Sequence, residues 1–222
     1  MNNSRYELKF PFHKLHNAKF FKFINSHINL SKIYDERTVN SIYFDCYNGS
    51  SIKDNIIGLS EKNKYRLRWY ENGSNVSSCF IEIKKKHGRS GTKLIIPTNK
   101  TINQINLDKV FHPNQNYFND INKKIIIDSI KGKLLLPKIK ISYLRKYYLF
   151  NKKIRITYDK KIIYSKMNSQ FTKKDDFQIM EIKFSENNQK YFYPIMQHIP
   201  FTKKRFSKYL RALAHFEEVV YI

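Results

Sequence analysis

The chain has 222 residues, with 42 Lys and Arg against 18 Asp and Glu, so its formal net charge is +24. Hydrophobic residues make up 41% and aromatic residues 15% of the sequence, which excludes a disordered basic tail. Two cysteines are too few for a disulfide framework. No run approaches the roughly 20 apolar residues that span a bilayer. We therefore expect one folded cytoplasmic domain over residues 1–222, without a membrane span, that attracts anions.

The first half of the chain predicts mainly strands. Alternating or β-branched runs indicate strands at 6–10, 39–44, 65–70, 80–86 and 93–96. Apolar residues near helical spacing predict a helix over 15–28. The segment Asn48-Gly49-Ser50 signals a turn, and Ser50 or Ser51 is placed to cap a short helix through Leu59. The Asn72-Gly73 pair predicts an antiparallel hairpin between the strands on either side of it.

The second half combines helices with three more strands. Residues 102–132 predict a helix with an apolar stripe, for which Gly132 would be the C-cap. Strands are expected at 139–150, 154–158 and 177–184, with turns near Asn151 and Asn168. Two helices over 187–197 and 207–216, separated by Pro200, complete the chain. The fold class is α+β, dominated by antiparallel strands.

Each predicted strand has one charged face, because residues at i and i+2 lie on the same side. Arg66 and Arg68 share such a face, and so do Glu181 and Lys183. The residues between them, such as Leu67 and Ile182, need burial. A sheet with one solvated face explains this pattern in the simplest way. If the strands instead close into a barrel, the charged face lines a lumen that would bind polyanions.

Five short motifs in a fixed order carry a family resemblance. They are RLRWY at 66–70, EIK at 82–84, IRITYD at 154–159, MEIK at 180–183 and RFSKY at 205–209. Together they resemble the VTC (vacuolar transporter chaperone) polyphosphate polymerase domain over roughly residues 5–216. The resemblance implies the triphosphate tunnel fold, a closed antiparallel β-barrel with a charged lumen and flanking helices. It also implies a metalloenzyme that polymerises the γ-phosphate of ATP into inorganic polyphosphate with Mn²⁺ or Mg²⁺.

The resemblance also assigns site residues. The phosphate-gripping catalytic cations would be Arg66, Arg68, Lys84, Arg145, Arg155 and Lys208. Further phosphate-binding residues would be Lys9, Lys93, Arg205 and Ser207, and strand position adds Lys183. Glu181 matches the metal-binding glutamate, to which Glu7 and Glu82 are possible additions. Glu7 and Glu82 are equally explained by cross-strand ion pairs with Lys9 and Lys84.

Two positions depart from the family patterns. Arg205 falls where the VTC family typically has Lys. Arg5 replaces the first glutamate of the Glu-x-Glu-x-Lys signature of tunnel triphosphatases, which weakens the hydrolase interpretation.

Three functions remain in competition. The first is a polyphosphate polymerase, with ATP and inorganic polyphosphate as its partners and a ring of Arg and Lys as its catalytic device. The second is an inorganic or nucleoside triphosphate hydrolase of the same fold, which the low number of acidic residues disfavours. The third is a non-catalytic module that binds nucleic acid or other polyanions by non-specific, salt-sensitive contacts.

Overall fold

The computed structural model describes residues 5–26, 30–47, 61–87 and 90–216. Within these ranges the strands are β1 (Arg5–His13), β2 (Leu30–Asp45), β3 (Glu61–Asn72), β4 (Asn75–Val76), β5 (Phe80–His87), β6 (Ser90–Pro97), β7 (Leu136–Phe150), β8 (Ile154–Lys166), β9 (Thr172–Lys174) and β10 (Phe177–Ser185). The helices are α1 (Asn17–Asn25), α2 (Asp120–Ile130), α3 (Gln189–Met196) and α4 (Lys208–His215). No helix in the described ranges has the length and apolar character needed to cross a membrane.

The strands are hydrogen-bonded in the order β1-β10-β8-β7-β2-β3-β5-β6, with β4 beside β3 and β9 beside β8. The antiparallel sheet with flanking helices is confirmed. The predicted closure into a barrel is not made by backbone hydrogen bonds among the described residues, since the order ends at β1 and β6. Pro11 in β1 and Pro97 in β6 lack the amide hydrogen that a further ladder would use, which suits edge strands.

Contacts divide the chain into two compact units. The first unit comprises Met1–Thr38, Tyr143–Ile163 and Lys174–Ser207. The second comprises Val39–Ser142, Tyr164–Lys173 and Lys208–Ile222. Each unit has its own apolar core, so each is described by itself below.

In the first unit, the core lies on one face of β1, β8 and β10. Its strand residues include Phe10, Ile156 and Ile182, which alternate with charged neighbours. Helix α1 adds Phe20, Phe23 and Ile24, whose i, i+3, i+4 spacing puts them on one helical face. The opposite face of these strands carries the charged residues.

In the second unit, Leu67, Ile81 and Ile83 of β3 and β5 are fully buried in the core. Phe111 and Ile126 pack into the same core. Helix α2 begins at a cap in which the Asn119 side chain accepts a hydrogen bond from the Asn122 amide. It ends where Lys131 and then Gly132 adopt left-handed backbone angles.

Most predicted elements are present, but several differ in extent, and β8 runs to Lys166 instead of ending at 158. The helix predicted over 102–132 is reduced to Asp120–Ile130, preceded by single 3-10 turns at Ile102–Gln104 and Leu107–Lys109. Pro113 lies between these turns and α2, and proline disfavours helical angles in the residue before it. Strand β2 begins at Leu30, nine residues before its predicted start at 39. The short helix predicted through Leu59 lies outside the described residues.

Candidate functional site

The charged face of the second unit follows from the alternation of β3 and β5. Tyr65 and Leu67 point into the core, so Arg66 and Arg68 lie on the other side. The register of these antiparallel strands places Arg66 directly opposite Glu82. Neighbouring strands therefore bring these charges together.

We call Arg66, Arg68, Glu82 and Lys93 the Glu82 cluster. Arg66 bonds the Glu82 carboxylate through both Nε and Nη2. Lys93 Nζ lies 2.5 Å from Glu82 Oε1, and Arg68 Nη1 lies 3.6 Å from Oε2. The Glu82 side chain is 3% exposed, whereas that of Lys93 is 44% exposed. One buried carboxylate thus contacts three cations, whose side chains differ in their exposure to solvent.

The charges of this cluster dominate its titration. Burial alone would raise the pKa of Glu82, but Arg66, Arg68 and Lys93 outweigh it and lower the pKa to about 2. Burial lowers the pKa of Lys93, which Glu82 only partly offsets. Three cations share one carboxylate, so the cluster keeps an excess of positive charge that an anion would neutralise.

Tyr43 on β2 belongs to the same environment, although sequence reasoning did not select it. Its hydroxyl accepts a hydrogen bond of 2.8 Å from Arg66 Nη1, and its ring stacks on Tyr209 with centroids 4.8 Å apart. Burial raises its pKa, but Arg66, Arg68 and Lys64 outweigh this and lower the pKa to about 8. The alternation of β2 could have placed Tyr43 on the charged face, together with Ser41, which accepts from Arg68 Nε at 3.0 Å.

The charged face of the first unit is a chain of ion pairs across β1 and β10. The register pairs Glu7 with Lys183 and Lys9 with Glu181. Lys183 Nζ contacts both Glu181 and Glu7, and Lys9 Nζ lies 3.3 Å from Glu7. Lys9 also donates to the Phe206 carbonyl at 3.0 Å, which attaches the RFSKY motif to β1. The ion pair expected between Glu7 and Lys9 is present, but it lies within β1 and not across two strands.

Arg145 and Asp159 form a second, more buried pair in this unit. Arg145 donates to both carboxylate oxygens of Asp159, at 2.5 and 2.7 Å. Asp159 is completely buried. Burial opposes the charge of Arg145, but Asp159, Tyr143 and Glu181 raise its pKa well above the ordinary value. This guanidinium is thus fixed in one orientation by the fold.

The remaining predicted cations differ in exposure. Arg155 and Lys84 are exposed, and neither has an ion pair with any of the described residues. Arg205 is exposed as well, whereas Ser207 and Lys208 are half-buried. Glu82 pairs with Lys93 rather than with Lys84, the partner expected from the sequence.

The three carboxylates proposed as metal ligands all have cationic partners. Glu82 is surrounded by three cations, an arrangement that favours its ion-pair role. Glu7 and Glu181 share Lys183. Residues 5–26, 30–47, 61–87 and 90–216 contain no group of three or more His, Cys, Asp and Glu that could hold a metal. A metal ion held by Glu181 or Glu7 would need phosphate oxygens and water as its other ligands.

The comparison with protein families decides the identity of the chain. The family model of the VTC domain matches residues 4–217. The chain belongs to the VTC domain family. The match includes all of the described residues on the two charged faces of this VTC domain. No curated protein sequence matches the chain.

Solved structures show the same fold at low sequence identity. A protein of Pyrococcus horikoshii is 14% identical over 96% of this chain and 99% of its own, with a TM-score of 0.54. A candidate adenylate cyclase of Vibrio parahaemolyticus is 9% identical over 96% and 99%, with a TM-score of 0.53. A candidate adenylyl cyclase of Hippeastrum, described as having a dominant triphosphatase activity, is 11% identical over 97% and 96%, with a TM-score of 0.56. These likenesses support the triphosphate tunnel fold for this VTC domain.

Proposed function

We propose that this VTC domain, as one functional domain over residues 1–222, transfers the γ-phosphate of ATP to a growing chain of inorganic polyphosphate. The observation that carries the proposal is the Glu82 cluster. In this cluster, the three positive charges of Arg66, Arg68 and Lys93 outnumber the one negative charge of the carboxylate they surround. Membership of the VTC family supports the choice of phosphate polymer. The closed, charged lumen expected from the sequence remains part of the proposal.

The chemistry needs little more than positioned positive charge. In phosphoryl transfer, charge spreads over the equatorial oxygens of the transferred group, so catalysis depends on orientation and electrostatic stabilisation. Arg66 and Arg68 are held by hydrogen bonds to Tyr43 and Ser41, which fixes their guanidinium groups before substrate binds. Fixed donors avoid the cost of reorganising during the reaction.

The exposed cations have a different part in the proposal. Arg155 and Lys84 have no ion pair among the described residues, so their charges are available to phosphate oxygens. A guanidinium binds phosphate through two parallel hydrogen bonds, whereas an ammonium acts as a point charge. In the proposal, Arg155 orients a phosphate group on the charged face of the first unit, and Lys84 adds a positive charge to the charged face of the second.

Glu181, with Glu7 beside it, would hold Mn²⁺ or Mg²⁺. When bound, such an ion supplies charge neutralisation at the phosphate oxygens. Lys183 bridges these two glutamates. In the proposal this lysine moves its ammonium group towards phosphate when the carboxylates take another cation.

The acceptor distinguishes polymerase from hydrolase. Hydrolysis requires a water molecule that an acidic group or a metal orients, whereas polymerisation requires a second phosphate as nucleophile. The low pKa of Glu82 makes this carboxylate a weak base, because three cations stabilise its charged form. This observation argues against Glu82 as the general base of a hydrolase. The described activity of the Hippeastrum protein makes the triphosphatase the second candidate.

Purified protein incubated with ATP and Mn²⁺ tests the proposal, with polymer and free orthophosphate both quantified. We expect polymer and ADP, and we expect Arg66→Ala to abolish the polymer. Lys173→Ala is the matched control, because Lys173 is an exposed cation on β9 outside both charged faces. ADP with orthophosphate and no polymer would establish the triphosphatase. Unconsumed ATP with salt-sensitive DNA binding would establish the polyanion-binding module.

A further inference from the structure

Thr157 on β8 carries a buried hydroxyl that the fold does not explain. The residue is 4% exposed, and its Oγ1 has no hydrogen-bond partner among the described residues. Buried hydroxyl groups in proteins are normally hydrogen-bonded, because an unsatisfied one costs folding free energy. Valine has nearly the same shape and would avoid this cost. The hydroxyl therefore has a use that the protein alone does not reveal.

The strand register shows what lies around this hydroxyl. Thr157 is directly opposite Glu181, and Arg155 is directly opposite Lys183. Directly opposed residues on one face have Cβ atoms about 5 Å apart. Thr157 and Arg155 are two residues apart on the same strand, so they share the charged face. An unpartnered hydroxyl and an exposed guanidinium thus lie next to each other.

The charges of this group favour an anion. The group carries two negative charges, on Glu181 and Glu7, and three positive charges, on Arg155, Lys183 and Lys9. A hydroxyl donates readily to a phosphate oxygen, and such charge-assisted bonds are stronger than those between neutral groups. Lys183 and Arg155 are long and flexible, so they can follow a phosphate group as it settles beside Thr157.

We propose that Thr157 binds substrate, with its hydroxyl donating a hydrogen bond to a phosphate oxygen that Arg155 also contacts. The proposal rests on the condensed-phosphate function proposed above and adds a neutral donor to a set of cations. A neutral donor holds a phosphate oxygen in one direction without adding charge.

The test is calorimetric titration of the full chain with inorganic tripolyphosphate, with and without Mg²⁺. We expect Thr157→Val to weaken binding about tenfold under both conditions, because one charge-assisted hydrogen bond is lost. Its melting temperature should equal or exceed that of the wild type, because the unsatisfied hydroxyl is gone. Thr157→Ser keeps the donor and should bind within about twofold of the wild type.

Thr98 provides the matched control. It is 3% exposed, and its hydroxyl donates to the Cys79 carbonyl at 2.7 Å and accepts from the Lys100 amide at 3.2 Å. Thr98→Val is therefore the same chemical change at an equally buried hydroxyl that has partners. It should lower the melting temperature and leave tripolyphosphate binding unchanged.

Several outcomes would overturn the inference. Wild-type affinity in Thr157→Val would show that the hydroxyl does not contact phosphate. A loss confined to Mg²⁺-containing solution would assign the hydroxyl to the metal instead. A lower melting temperature in Thr157→Val would reveal a structural partner in the free protein. If the wild type itself does not bind tripolyphosphate, both the inference and the proposed function fail. The outcomes confined to Thr157→Val overturn the inference alone.

Discussion

Arg66 and Glu82 lie directly opposite each other on β3 and β5, and the guanidinium of Arg66 bonds the Glu82 carboxylate through two nitrogens. The third nitrogen, Nη1, donates to the Tyr43 hydroxyl. All three nitrogens of this guanidinium thus have a hydrogen-bond acceptor. The fold orients Arg66 by a carboxylate and a phenol that it keeps buried.

Replacing Arg66 tests whether this orientation matters. We expect Arg66→Ala to abolish polyphosphate formation and to weaken tripolyphosphate binding at least about tenfold. Arg66→Lys keeps the charge but loses the planar fork, so it should give an intermediate affinity. Titration calorimetry and polymer yield measure both effects. Equal activity of Arg66→Ala and the control Lys173→Ala would contradict the assignment.

Glu82 predicts a defined loss of stability in acid. Its pKa is lowered from 4.5 to about 2 in the folded protein, so the unfolded chain binds more protons between these values. The contribution of Glu82, about 3 kcal/mol, is present above pH 4.5. It is lost as the pH falls towards about 2. Urea unfolding of the wild type and Glu82→Gln between neutral and acid pH measures it. Parallel stability curves would refute this coupling.

Tyr43 predicts a change of affinity on the alkaline side. Its pKa is lowered to about 8, so the phenol ionises as the pH rises through that value. The phenolate then competes with phosphate for Arg66, and tripolyphosphate affinity should fall. The substrate titrates equally with wild type and Tyr43→Phe, so the difference between their affinity profiles isolates Tyr43. Profiles that stay parallel through pH 8 would exclude the competition.

Arg145 and Asp159 predict a large effect on stability. Arg145→Ala removes two hydrogen bonds from a fully buried carboxylate, which should lower the free energy of unfolding by about 3 to 5 kcal/mol. The double variant Arg145→Met with Asp159→Leu should recover most of this loss, since no buried charge remains. Denaturant unfolding decides the matter. A double variant no more stable than Arg145→Ala would show that the lost charge pairing is not the cause.

We predict that polymer formation depends on a metal ion held by Glu181. Glu181→Ala should abolish polymer formation and weaken Mn²⁺ binding in the presence of tripolyphosphate, because a carboxylate ligand is lost. Glu82→Gln should leave Mn²⁺ binding unchanged, because three cations already occupy that carboxylate. Calorimetry with Mn²⁺ compares the two variants. A larger loss in Glu82→Gln would reverse the assignment of the metal ligand.

Local alternation was sufficient to predict most strands, because one face of each is apolar and the other charged. Leu67, Ile83, Ile156 and Ile182 are all fully buried, as that pattern indicated. The first half of β2 was missed because Lys32, Asp35 and Glu36 interrupt any apolar alternation. Its pairing is set by neighbouring strands, which a local pattern does not contain.

The partners of Glu82 required knowledge of register. Lys84 is two residues away on the same strand, so the sequence favoured it. Lys93 on β6 is directly opposite Lys84 on β5. Lys93 therefore lies diagonally across from Glu82, which is two residues before Lys84 on β5. The diagonal neighbour forms the ion pair. Tyr43 was not predicted because its role depends on the distance between its hydroxyl and Arg66. Composition and residue spacing do not give this distance.

Phosphorus NMR of the reaction with ATP and diamagnetic Mg²⁺ tests the central claim most directly, because phosphates inside a condensed chain resonate apart from orthophosphate. We predict that the signal of internal phosphates grows as ATP is converted to ADP, and that it is absent with Arg66→Ala. Growth of the orthophosphate signal alone would contradict the assignment of this VTC domain as a polymerase.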